Sequence, residues 1–121
     1  MKELIAFINS YANNYYNNYK DSTLVAGYAN GYVAIPKEHP YYGRDCNEIN
    51  VDVHGDLTFS DFGKFFRESK TIEFINGSLK DIEDYWVLGF DTCHFGDNLE
   101  NWPREAVIEE TLKLKKILEN L

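Results

Sequence analysis

Leu24–Pro36 reads LVAGYANGYVAIP, and the fold class turns on it. Two apolar, β-prone runs flank Asn30-Gly31, a pair that tolerates positive φ. The pattern predicts a hairpin with a tight type I′ turn. Pro36 closes the second strand, since it cannot donate to a ladder.

Downstream, Lys37–Glu48 (KEHPYYGRDCNE) is polar and turn-rich and reads as a loop, with His39 pushed towards extended geometry by Pro40. Ile49–His54 (INVDVH) alternates, with Ile49, Val51 and Val53 on one face of a strand and Asn50, Asp52 and His54 on the other. Gly55-Asp56 turns the chain and Leu57–Phe59 returns beside it. Asp61–Ser69 fits a short helix or an ordered loop. Thr71–Ile75 reads as a strand, Asn76-Gly77 as a turn, and Tyr85–Phe90 (YWVLGF) as the most apolar and so the central strand. Asp91–Trp102 is a polar loop.

The two ends read as helices. Leu4, Ile5, Ile8, Tyr11, Ala12 and Tyr15 recur at helical spacing over Lys2–Tyr15, and the Asn-rich run Asn13–Asn18 stops the helix. Pro103 suits a first turn. Arg104–Leu121 then buries Val107, Thr111, Leu114, Leu118 and Leu121, joined by Ile108 and Leu112, with Glu109 and Lys113 as a surface pair. The expectation is a single α+β domain over residues 1–121: an antiparallel sheet with an N-terminal and a long C-terminal helix packed on it in two layers.

Composition narrows the function classes. The chain has 121 residues, 44% hydrophobic and 16% aromatic, enough to fold as one domain. Twenty acids against twelve bases give a net charge of −8, which excludes a general nucleic-acid binder and argues against a membrane surface. No stretch is long and apolar enough to span a bilayer, and the N-terminus, with Glu3 and no small-residue cleavage site, does not read as a secretory signal. Cys46 and Cys93 make no disulfide framework and are expected as small buried apolar residues. A cytoplasmic location is expected.

The chemistry-bearing residues gather in three segments: His39–Gly43, Asp52–Gly55 and Gly89–Asp97. All three histidines lie there. Asp52 and His54 share a strand face, where the carboxylate can orient the imidazole for proton transfer or for binding a polar ligand, or the two can form a solvated face. Asp91, His94 and Asp97 can surround a hydroxyl, a base edge or a metal; equally, the two acids can cap turns and His94 can bond a backbone carbonyl. No metal site is expected, because His-x-x-x-His, Cys-x-x-Cys and calcium-loop spacings are all missing; Cys46, Cys93 and His94 can converge in space, but no spacing demands it. No cofactor is expected. Nor is there a nucleophile elbow or a phosphate loop. Tyr41 and Tyr42 are candidate stacking rings, while Trp86 reads as core. Lys37, Arg44, Lys64 and Arg67 are the cations near these loops, each a possible phosphate contact or a solvated surface residue.

Four motifs together resemble a family of small phage and prophage proteins. They are GYVAIP (Gly31–Pro36), HPYYG (His39–Gly43), INVDVHGDLTF (Ile49–Phe59) and WVLGFDTCHFGD (Trp86–Asp97). The family pattern has a second glycine where this chain has Asp56, and no helix ahead of the first motif. The resemblance implies a phage source more than an activity. Small acidic phage domains of that kind sequester nucleotide second messengers of bacterial immunity, cleave them, or block a defence protein directly.

The expected function is therefore counter-defence by binding and sequestering a small nucleotide-derived signalling molecule. Its pocket would be lined by His39, Tyr41, Tyr42, Asp52, His54, Asp91, His94 and Asp97. Two alternatives stay open. One is a hydrolase using His54 and His94, oriented by Asp52 and Asp91, on a phosphodiester or glycosidic bond. The other is an acidic inhibitor of a host defence protein. A homo-oligomer fits all three, since open sheet edges need covering.

Overall fold

Asn30-Gly31 does not turn. In the computed structural model, which describes residues 1–10 and 26–121, Ala29–Ile35 is one unbroken strand at the centre of the sheet. The elements are β1 (Ile5–Ser10), β2 (Ala29–Ile35), β3 (Phe59–Phe62), β4 (Ile72–Phe74), β5 (Trp86–Phe90) and α1 (Arg104–Glu119). The sheet order is β3-β5-β2-β1-β4, and every neighbouring pair is antiparallel. Residues 24 and 25 of the expected hairpin lie outside the described residues.

Gly31 sits in mid-strand for a packing reason. A Cβ there would lie 2.2 Å from Thr111 Oγ1 of α1 and 2.4 Å from the Phe90 ring. The missing side chain lets the helix and the neighbouring strand close over β2. Thr111 is satisfied within its own helix, its hydroxyl donating to Val107 O at 2.7 Å.

Alternation along the strands divides the core. Leu4, Ile8, Val33, Ile35, Leu88 and Phe90 join Val107, Leu114 and Leu118 of α1 on one side. Fully burying each such aliphatic side chain is worth roughly 1.5–3 kcal/mol, so this stripe rather than intrinsic propensity holds α1 in place. On the other side Ile5, Phe7, Tyr32, Ala34 and Val87 meet Phe66 and Ile82. Phe66 and Ile82 come from short 3-10 turns, Gly63–Phe66 and Leu79–Ile82. Phe7 stacks on Tyr32 at 5.2 Å and meets Phe66 edge-on at 5.1 Å. Burial pushes the Tyr32 phenol above its ordinary ionisation. The Asn30 side chain, hydrogen-bonded to its hydroxyl, pulls the other way, and the nearby Asp91 and Cys93 add to the rise.

The α+β class with an antiparallel sheet and a long C-terminal helix is as expected, but three local expectations are corrected. The N-terminal helix is absent over the described part of Lys2–Tyr15: Ile5–Ser10 is a strand, and residues 11–15 lie outside the described residues. The reason is that β1 is buried on both faces, so its apolar run carries no clean period. Ile49–His54 is not a ladder strand, although Ile49, Val51 and Val53 do point into the α1-side core. The sheet is covered on both faces, by α1 and this segment on one and by the 3-10 turns on the other, not in two layers.

Smaller differences follow. The central strand is β2, with β5 beside it. Trp86 is half-buried and donates from Nε1 to Arg44 O at 2.8 Å. Cys93 is exposed and Cys46 intermediate. Leu112 and Leu121 are exposed instead of joining the stripe. Lys113 pairs with Glu110 (3.5 Å) and Asp52 (3.9 Å) and not with Glu109, because Glu110 faces the segment carrying Asp52. At the start of α1, the Arg104 guanidinium hydrogen-bonds Glu73 of β4 and holds that carboxyl below its usual range. No described helix is long and apolar enough to cross a membrane.

Candidate functional site: a histidine–aspartate cluster

His54 ends the extended segment that packs against α1. Its backbone N–H donates to Glu110 Oε2 at 2.8 Å, which pins the turn to the helix. The chain then reverses through Gly55 (φ +67°) and Asp56 (φ +64°), with Asp56 N–H donating to Val53 O at 2.9 Å. Both residues are in the left-handed region. Glycine enters it freely and Asp is among the few other residues that tolerate it.

The loop after β5 meets this turn. Asp97 is buried, and its carboxylate accepts from His54 Nε2 at 3.0 and 3.1 Å and from the backbone N–H of His94 at 2.9 Å. His94 Nδ1 lies 3.1 Å from Asp91 Oδ1 and 3.5 Å from Asp97 Oδ2. Asp91 Oδ1 also accepts from the Cys93 N–H at 3.0 Å. The capping reading of these acids therefore holds, and each acid also faces an imidazole. The rings of His54 and His94 stand edge to face at 5.6 Å. Trp102 lies along His54 at 4.2 Å, and the backbone at Gly55 abuts the His94 ring so closely that a Cβ would come within 2.3 Å of it.

Four of the eight expected ligand residues thus come together: His54, Asp91, His94 and Asp97. The others do not. His39 is buried and spent on structure: the Tyr41 N–H donates to its Nδ1 at 3.0 Å, so Nε2 carries the proton and donates to Leu118 O at 2.7 Å. Tyr42 donates from its hydroxyl to Asp84 O at 2.7 Å, and Tyr41 lies near the Arg44 guanidinium. Leu118 is eight residues beyond Glu110, roughly 12 Å along the helix axis, so the His39 loop belongs to another part of the surface. Asp52 does not share a strand face with His54; its side chain is 98% exposed and meets Lys113.

Glu110 and Trp102 were missed in the sequence. Glu110 borders the buried α1 stripe at Val107, Thr111 and Leu114, a position where a carboxylate is within reach of a packed neighbour; Trp102 carried no such signal. Cavities of about 340, 320 and 380 Å3 are lined by none of the four clustered residues; in the cluster His54, Asp91 and His94 are partly exposed and Asp97 is buried. The first of these has Lys64, Arg67 and Lys80 around Leu79, with Arg67 already bonded to Glu83 at 2.8 Å. Although no motif spacing signalled a metal, His54, His94 and Asp97 each offer one donor atom within 4.8 Å of the others. Comparison with known protein families, characterised proteins and solved structures finds no match.

Proposed function

We propose that the protein is a phage-type accessory protein that binds and sequesters a small nucleotide-derived signalling molecule in the cytoplasm of an infected host. His54, Asp91, His94 and Asp97 read its ribose hydroxyls or a base edge. One observation carries this reading: two Asp–His pairs from segments some forty residues apart converge on one spot at the end of the sheet. Such a cluster supplies hydrogen-bond donors and acceptors side by side, which is what a polyhydroxylated ligand needs. The phage source and the counter-defence role rest on the four-motif resemblance. The stacking role expected of Tyr41 and Tyr42 passes to Trp102, the ring beside His54.

The test is calorimetry and thermal shift with cyclic dinucleotides and ADP-ribose derivatives. A bound nucleotide that is recovered intact, with binding lost in His94→Ala, supports sequestration; no shift with any of them refutes it. The same geometry favours a second reading. Two imidazoles 5.6 Å apart, each beside a carboxylate, can act as base and acid on a phosphodiester or glycosidic bond. Product formation that disappears in both His54→Ala and His94→Ala, with the fold intact, selects cleavage. Light scattering settles whether the chain forms the homo-oligomer that this reading includes.

A further inference from the structure

We propose that His54, His94 and Asp97 bind one divalent transition-metal ion of the zinc or cobalt class. Their donor atoms lie within 4.8 Å of one another. His54 Nε2 stands 3.0 Å from Asp97 Oδ1, and His94 Nδ1 stands 3.5 Å from Asp97 Oδ2. In a tetrahedral sphere with metal–ligand bonds of about 2.1 Å, donor atoms stand roughly 3.4 Å apart. Both imidazole–carboxylate separations are near that spacing, and the two imidazole nitrogens, within 4.8 Å of each other, have to close by at most about 1.4 Å. Two imidazoles and one carboxylate suit zinc, cobalt or ferrous iron better than calcium or magnesium, which prefer all-oxygen shells. Three protein donors also leave a position open for water or a ligand.

Charge points the same way. The Asp97 side chain is only 6% exposed, yet no Lys or Arg among the described residues pairs with it. A buried carboxylate is costly unless matched by positive charge and hydrogen bonds. Its partners are two imidazoles and a backbone N–H, and an ion between the three side chains would place a fixed positive charge against it. The donors are also held in place. Trp102 flanks the His54 ring, the Gly55 backbone flanks His94, and the His94 N–H fixes the Asp97 carboxylate. Asp91 Oδ1 lies 3.1 Å from the same His94 nitrogen, a contact that is exchanged for the metal when that nitrogen ligates the ion.

On binding, His54 Nε2 gives its lone pair to the metal and its hydrogen bond to Asp97 is replaced by the shared ion; the imidazole then carries its proton on Nδ1. The inference does not depend on the nucleotide reading. If both hold, the ion offsets Asp91, Asp97 and Glu110 and gives a phosphate-bearing ligand a cation to meet.

The test uses the full chain, stripped with a chelator and titrated with Co2+ and then Zn2+ without any nucleotide. The expected result is one ion per chain and a ligand-field spectrum of four- or five-coordinate cobalt displaced by zinc. His94→Ala and His54→Gln should each weaken binding by more than about a hundredfold, since even the loss of an outer partner costs about ten- to a hundredfold. Cys93→Ser should leave it unchanged. Circular dichroism of the stripped variants reports whether they fold. Cobalt that keeps its aqueous six-coordinate spectrum with the wild-type chain overturns the proposal. So does uptake that survives in folded His94→Ala or that requires Cys93.

Discussion

Replacing Gly31 with alanine tests the packing of the whole α1 layer. In a mid-strand position of ordinary φ, Gly→Ala stabilises by about 0.4–1 kcal/mol, because the unfolded chain loses freedom. Here the new methyl would sit 2.2 Å from Thr111 Oγ1 and 2.4 Å from the Phe90 ring. Carbon–oxygen and carbon–carbon contacts relax only near 3.5–4.0 Å, so α1 or β5 has to retreat by roughly 1–1.5 Å. Overpacking of that kind costs about 1–3 kcal/mol, and moving a whole helix sits at the upper end. The expected net change is a loss of about 2 kcal/mol. Urea unfolding reads this directly: with a slope of about 1–3 kcal/mol per molar, the midpoint falls by about 1 M. Thr111→Ala removes one of the two obstructing groups, so Gly31→Ala should cost less in that background, giving a coupling of about 0.5 kcal/mol or more. A Gly31→Ala midpoint at or above wild type would refute the close approach of α1 to β2.

Other outcomes follow from the same geometry. Gly55→Ala places a side chain at φ +67° and against the His94 ring; it should cost about 1–3 kcal/mol in urea unfolding and weaken cobalt uptake as well. His39→Ala leaves Leu118 O and the Tyr41 N–H without their partner, so it should lose about 1–3 kcal/mol of stability while nucleotide and metal binding stay as in wild type. Altered binding in that variant would place the His39 loop in the site after all. The Tyr32 ionisation is raised in the folded state, chiefly by burial. The stability it contributes is complete below about pH 10, the unfolded value, and disappears as pH rises through the folded value. Urea midpoints on the alkaline limb should fall less steeply in Tyr32→Phe, with Tyr85, also raised, supplying a residual slope.

Legibility in the sequence tracked how local each signal was. The α1 stripe of Val107, Thr111, Leu114 and Leu118 could be read because a half-buried helix repeats its apolar face. β1 could not: Leu4 and Ile8 serve one side of the sheet while Ile5 and Phe7 serve the other, and such a run mimics helical spacing. Asn30-Gly31 has the composition of a turn, but only the position of Thr111, eighty residues on, shows why Gly31 is there. INVDVH gave the correct inward residues and the wrong hydrogen bonding, since alternation reports burial and not pairing. In the site, Asp91, His94 and Asp97 were legible as one short loop. The place of His54 beside them was not, because it depends on how two distant turns meet. His39 looked equally polar and proved to be a structural link, a distinction that burial alone makes.

The strand order carries a kinetic consequence. β1 pairs with β2 across Phe7 and Tyr32, but it must also find β4 at Phe74, and β2 must find β5 with Tyr32 opposite Gly89. Three of the four ladders join strands that are not consecutive in the chain. Loop-closure entropy is lost before those contacts reward it, which places such topologies among the slower folders, on a scale of milliseconds to seconds. During that interval the chain from Ile5 to Ser10 is an apolar edge with a free side. Refolding yield should therefore fall with protein concentration well before equilibrium stability does.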